Sequence, residues 1–267
     1  MISNTLYHAW AWLKHRFTAW NTGGEGIHSP YLFYLTYLII PDEYRYYCWD
    51  AIEERRQAML QSPRSIRVKD FGVGGKGASY TCKVSDIAKH SLESPRNAQV
   101  FFRIVNFMSE FYGRPLEILE FGTSLGITTA YLASVASRNR VTTYEGSGML
   151  LRLAIKNWEA LGLENITFVK GDIDKSLDRR APSKFDVAFV DANHCYQATF
   201  EYVEYLAWIA NESSVIIIDD IHYSKEMERA WKDIQKLRQV TTTMDYFDFG
   251  LVFFDSHYLK KHYRLRL

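Results

Sequence analysis

From Leu116 onward, short β-branched runs alternate with stretches in which apolar residues recur every three or four positions. This is the pattern of a parallel sheet covered by helices. Strands are predicted over 117–121, 140–144, 166–170, 185–190 and 213–218, with helical spacing over 149–161 and 198–209. Two further runs, 240–247 and 250–254, stand too close together for a helix to intervene, so they predict an antiparallel hairpin at one sheet edge. Before Pro115 the pattern is less regular. Aromatic-rich helices run to about residue 60, a strand-like piece covers 65–71, a glycine-rich loop follows, and 97–112 has helical spacing. The expected organisation is a helical cap over 1–114 and an α/β domain over 115–267.

Composition narrows the function classes. With 32 Lys plus Arg against 31 Asp plus Glu, the formal charge of +1 offers no global field for nucleic acid, and no nucleic-acid partner is expected. Cys48, Cys82 and Cys195 lie far apart without C-x-x-C spacing, so neither a disulfide framework nor a zinc site is predicted, and a cytoplasmic setting fits best. The first residues lack a signal-peptide layout. The apolar run 31–40 stops at Pro41, about half the ~20 residues that span a bilayer, so no transmembrane segment is expected. Trp10, Trp12, Phe17 and Trp20 fall near helical spacing. A stripe of this kind packs into a core or a homodimer contact more often than it rests on a membrane surface. The basic end, 259–267, reads as a frayed tail.

The most informative stretch runs from Leu119 through Glu120, Gly122, Thr123, Ser124 and Gly126 to Thr129: a buried strand that ends in an acid and opens through spaced glycines into a helix. In open α/β sheets ligands sit at the carboxyl ends of strands, where glycines let backbone approach closely, and Glu120 is expected to face the ligand. Thr123 and Ser124 replace the spacing that seats a pyrophosphate, which points to a ligand without a diphosphate. Glu145, 19 residues beyond Gly126, ends the second strand where an acid accepts from a ribose diol. Gly171-Asp172 ends the third strand and Asp191 the fourth, so four acids converge on one rim. Any one of them alone reads equally as a helix cap or a loop acid. Residues 72–77 also satisfy G-x-G-x-x-G, but 78–95 contain no apolar strand to close a βαβ unit, so this reads as a mobile loop and not a second nucleotide site.

On these residues the chain resembles class I S-adenosylmethionine-dependent methyltransferases, nearest their small-molecule O-methyltransferase branch, over about 115–255. The resemblance implies a Rossmann-like α/β fold: a mostly parallel seven-stranded sheet with a C-terminal antiparallel hairpin, here preceded by a mainly helical extension. It implies that Glu120, Gly122, Thr123, Ser124 and Gly126 hold the methionine part of S-adenosylmethionine. Glu145, with Gly146 beside it, would bind the ribose, Asp172 would lie by the adenine, and Asp191 would border the cofactor. The segment Ile218-Asp219-Asp220-Ile221-His222 and the His28-Ser29-Pro30 segment are similar to bacterial methyltransferases of undefined substrate.

Methyl transfer needs an aligned nucleophile, and a base or metal only where the acceptor hydroxyl must lose a proton. In catechol-type relatives an acid ending strand four and an acidic pair ending strand five hold Mg²⁺, and some sugar O-methyltransferases use Asp-Asp as here. Asp191, Asp219 and Asp220 are therefore the candidate metal ligands, with hard oxygen donors suited to that ion. The catechol pattern carries a Lys three residues after its first acid. This chain has His194 there, and His222 competes for the role of base. The same acids could instead cap the following helix. Asp191 is the leading catalytic candidate, and the expected acceptor is a small molecule. The chain lacks the Asp/Asn-Pro-Pro-aromatic element of amino-methylating enzymes. A cofactor-binding protein without transfer is the rival from another class.

Overall fold

The computed structural model describes residues 4–69, 78–176 and 184–267. Two compact units emerge, one of 1–41 with 183–267, the other of 42–182.

The first unit begins with α1 (Asn4–Thr18) and α2 (Pro30–Tyr34), the latter running into a π-helical turn at Leu35–Ile39. Ser29 caps α2 by accepting from the Leu32 N–H, and Pro30 stands at its first position, which accounts locally for the His-Ser-Pro segment. On α1 the helical period buries Tyr7, Ala11 and His15 and leaves Trp10, Trp12 and Phe17 at the surface, and Trp20, just past the helix, is exposed too. Of the core or homodimer contact expected for these four aromatics, the core is thereby ruled out.

In the second unit α3 (Trp49–Leu60) precedes a two-stranded antiparallel ladder, β1 (Ser65–Lys69) with β2 (Ser79–Lys83). A strand does occur within 78–95, but it is polar, largely exposed and antiparallel to β1, so it is not the apolar strand a βαβ unit would need. Ser79 to Lys83 has no apolar run to announce it, and its pairing with β1 supplies the order. Antiparallel pairing is incompatible with a βαβ unit across 72–77, whose glycines lie outside the described residues. Next come α4 (Val84–Ser91) and α5 (Pro95–Tyr112). Ser94 caps α5, Pro95 opens it and Gly113 closes it at φ 60°. Then β3 (Glu117–Phe121), α6 (Ile127–Ala133), β4 (Arg140–Glu145), α7 (Gly148–Ala160), β5 (Ile166–Lys170) and α8 (Ile173–Ser176) follow. β3, β4 and β5 pair in parallel in that order. Trp49, Phe102, Tyr131 and Trp158 fill the core against α6 and α7.

The first unit resumes with β6 (Val187–Val190), α9 (Tyr196–Ile209), β7 (Val215–Asp219), α10 (Lys225–Ile234), β8 (Thr242–Asp245), β9 (Phe249–Phe253) and β10 (Lys261–Arg264). β6, β7 and β9 are buried along their whole lengths, as near-continuous apolar runs require. Their order is β10-β8-β9-β7-β6, parallel at β10–β8 and β7–β6 and antiparallel between.

The fold class is the expected mostly parallel α/β architecture, with an eighth strand beside the anticipated seven. β8 and β9 form the expected hairpin, but β10 covers β8, so the hairpin is not an edge. The basic C-terminal stretch is therefore a strand and not a frayed tail. Tyr263 and Leu265 are buried, the Lys261 and Leu265 N–H groups donate to the Thr241 and Asp245 carbonyl oxygens, and Tyr263 donates to the Gly26 carbonyl.

Candidate active site

The glycine loop belongs to the second unit. Gly122 and Gly126 have φ of 106° and 73°, and Ser124 lies between them at 49°. The Gly122 and Thr123 N–H groups both donate to the Tyr144 carbonyl oxygen, at 3.1 and 3.2 Å. Asn157 and Trp158 of α7 hold the far side by donating to the Leu125 and Gly126 carbonyls, at 2.9 and 2.8 Å. A Cβ on Gly126 would stand 2.6 Å from Trp158 Nε1 and 2.7 Å from Ala154 Cβ. The missing side chain at Gly126 thus serves helix packing, a purpose different from the close ligand approach read from the sequence.

Glu145 is the centre of this loop. One carboxylate oxygen accepts from the Ser124 N–H at 2.9 Å, the other from the Ser147 N–H at 2.7 Å. Burial raises its pKa, and backbone donors at Ser147, Ser124 and Gly146 work against that rise without cancelling it. A carboxylate offers about four lone-pair sites, so acceptor capacity is left for a diol. The donor set thus fits the ribose of S-adenosylmethionine. Gly171 donates to the Glu145 carbonyl at 3.0 Å and sets half-buried Asp172 just beyond β5. Glu120 is completely buried, where a ligand-facing acid was expected. It accepts from the hydroxyls of Thr129 and Thr143, which ties β3 to α6 and β4.

The first unit holds the remaining candidates. After β6 the chain turns through two consecutive left-handed residues, Asn193 at φ 67° and His194 at 36°. Such residues cost about 1–3 kcal/mol each and persist where the surroundings over-determine them. Asn193 is anchored through the Tyr202 hydroxyl at 2.8 Å. The turn sets His194 Nε2 3.1 Å from an Asp191 oxygen and Nδ1 3.5 Å from an Asp220 oxygen. Asp220 is itself left-handed at φ 55°. Burial raises its pKa; His194 opposes this, Asp191 and Asp248 add to it, and His8 opposes it again.

Neither Asp219 nor Asp220 caps α10, because Ser224 does so by accepting from the Met227 N–H. Nor do Asp191, Asp219 and Asp220 bring their carboxylates together as a ligand set. Among the described residues, the one group of three or more such side chains whose ligand atoms all lie within 4.8 Å of one another is Glu212, Asp255 and His257. Asp219 is buried at the end of β7, and the His194 ring joins Asp191 to Asp220.

His222 is drawn elsewhere. Its Nε2 lies 3.1 and 3.0 Å from the two Asp245 oxygens, and its ring stacks on Phe247. His15 Nε2 approaches the same carboxylate at 3.0 Å, and the Phe247 N–H donates to it at 3.0 Å. Burial pushes the Asp245 carboxyl upward, but the two histidines outweigh it and hold the group well below the usual carboxylate range. Sequence reading missed His8, His15, Asp245 and Asp248. The one local signal was the acid-bearing turn Asp245-Tyr246-Phe247-Asp248 between two strand-like runs.

Comparison with known proteins gives a partial match. Residues 119–221 match the model of a methyltransferase domain family. The fold is similar to that of an O-methyltransferase from Bacillus cereus in complex with SAH, at 19% identity over 79% of this chain and 91% of that one, with a TM-score of 0.55. The O-methyltransferase TomG from Streptomyces achromogenes, involved in tomaymycin synthesis and solved with SAM, aligns at 17% identity over 84% and 94% with a TM-score of 0.56. The SAH-bound methyltransferase PaMTH1 of Podospora anserina aligns at 12% over 77% and 88% with a TM-score of 0.54. No curated protein matches the sequence significantly.

Proposed function

Given a methyltransferase domain carried on the class I S-adenosylmethionine-dependent fold, we propose that this enzyme moves the methyl group of S-adenosylmethionine to a hydroxyl oxygen of a small-molecule acceptor. The observation that carries the reading is His194 held by two carboxylates on a strained turn.

When bound, the cofactor supplies an electrophilic methyl group. Glu145, with Gly146 beside it, would accept from its ribose, the Gly122-to-Gly126 loop would receive its methionine part, and Asp172 would serve its adenine. His194, with its Nε2–H donated to Asp191, takes the acceptor proton at Nδ1. Asp191 and Asp220 orient the ring and stabilise the cation that forms, as a base held between carboxylates allows. His222 positions the β8–β9 turn through Asp245 and is not the base. The Asp191, Asp219 and Asp220 carboxylates do not assemble, so the residues present do not fit Mg²⁺. Near-neutral charge and O-methyltransferase neighbours support a small acceptor over a macromolecule.

Calorimetric titration with S-adenosylmethionine, followed by methyl-labelling of a panel of hydroxylated acceptors, tests this. The expected result is saturable binding, transfer that persists in chelator, and a roughly 10²–10⁴-fold lower kcat for His194→Gln with unchanged cofactor affinity. No binding to folded protein would overturn the reading. A variant working at the wild-type rate would remove His194 from it.

A further inference from the structure

The outward side of α1 takes no part in this chemistry. Leu6, Trp10, Leu13 and Phe17 recur at spacings of four, three and four, which lines them along one side of the helix. Their exposures are 64, 57, 49 and 79%, although the opposite side is already seated through Tyr7, Ala11 and His15. Trp12 and Trp20, 48 and 65% exposed, widen the apolar surface.

Cations border it. Lys14 lies 5.2 Å over the Trp10 ring and Arg16 5.7 Å over Trp12. From β10 and the residues after it, Arg264 donates to the Thr18 hydroxyl and Arg266 to the Arg16 carbonyl oxygen. No Asp or Glu precedes Glu25.

We infer that this face of α1 rests on the surface of a bilayer containing anionic lipid. Tryptophan places a large apolar ring and one polar N–H at headgroup depth, and the bordering cations meet lipid phosphates with no carboxylate on the helix to repel them. Among the described residues no helix is long and apolar enough to cross a membrane, so the contact is peripheral. A second copy of the chain fits this face less well. A two-fold contact sets a surface against itself, opposing Lys14 and Arg16 to their own counterparts with no acid on α1 in answer.

The full chain can be sedimented with vesicles of phosphatidylcholine alone and with vesicles containing roughly a third phosphatidylglycerol. The expected partition is about tenfold higher on the anionic vesicles, falls as salt is raised, and comes with a blue shift of tryptophan emission. Trp10→Ala with Phe17→Ala lowers binding about tenfold or more without changing the circular dichroism, since both side chains are exposed. Lys14→Glu with Arg16→Glu removes the preference for anionic lipid. Protein that stays in the supernatant with both vesicles overturns the inference, as does binding that neither double variant alters. A dimer in analytical ultracentrifugation that the aromatic double variant dissociates, without vesicle binding, overturns it in favour of a second copy.

Discussion

Two enclosed carboxylates, one in each compact unit, shift in opposite directions. Glu145 is held by neutral backbone N–H groups, and burial wins, so its pKa rises. Asp245 is buried as well, but two imidazoles and a backbone donor converge on it, and its pKa falls. Burial alone therefore does not say what a carboxylate is for; its partners do. Asp245 is consumed in joining α1, the loop after β7 and the β8–β9 turn. Glu145 keeps acceptor capacity on a loop that the fold holds in place.

Replacing the consumed carboxylate should have the larger effect. Asp245→Asn is expected to cost about 3 kcal/mol, because the His15 and His222 rings and the Phe247 N–H lose a buried charged acceptor. Thermal unfolding at neutral pH should then begin roughly 6–12 °C lower. The pH dependence has a definite sign. A depressed carboxyl stabilises fully above its unfolded value of about 3.9 and loses that contribution as pH falls through the lower folded value. The gap between wild type and variant should therefore narrow in acid, and a constant gap would mean that Asp245 acts through shape alone.

Gly126→Ala attacks the frame around the other carboxylate, combining a left-handed φ with a methyl group driven into Trp158 and Ala154. About 2 kcal/mol of destabilisation is expected by denaturant titration. A neutral result would show that α7 can retreat. The smallest effect on folding belongs to Glu145→Gln. Its raised pKa means that the charged form costs stability as pH rises from the unfolded value of about 4.3 through the higher folded one, so the variant should gain on wild type over that rise. Calorimetry should nevertheless show about tenfold weaker binding of S-adenosylmethionine, from loss of a charged acceptor. Equal affinities would erase the distinction between the two carboxylates.

The parallel strands were readable because buried strands need unbroken β-branched runs. β3 and β5 lie where periodicity puts them, and β4 and α5 differ by only one or two residues. Turn and cap chemistry was equally local, as at Ser94, Pro95 and Gly113. β2 and β10 were not readable. Ser79 to Lys83 and Lys261 to Arg264 are polar or basic by composition and become strands through β1 and β8. The exposed aromatic side of α1 was misjudged for a related reason: periodicity shows that apolar residues share a side, but not whether anything covers it.

By itself the sequence determined the parallel strands, the glycine loop and the strand-end acids Glu145, Asp172 and Asp191, because each depends on neighbours a few positions away. Tertiary structure alone decided which histidine meets which acid. His194 joins Asp191 to Asp220 because a left-handed turn returns its ring between two strand ends. His222 is withdrawn to Asp245, a carboxylate it shares with His15, 230 residues away in the chain. Such pairings follow from long-range packing, and no local pattern of residue types encodes them.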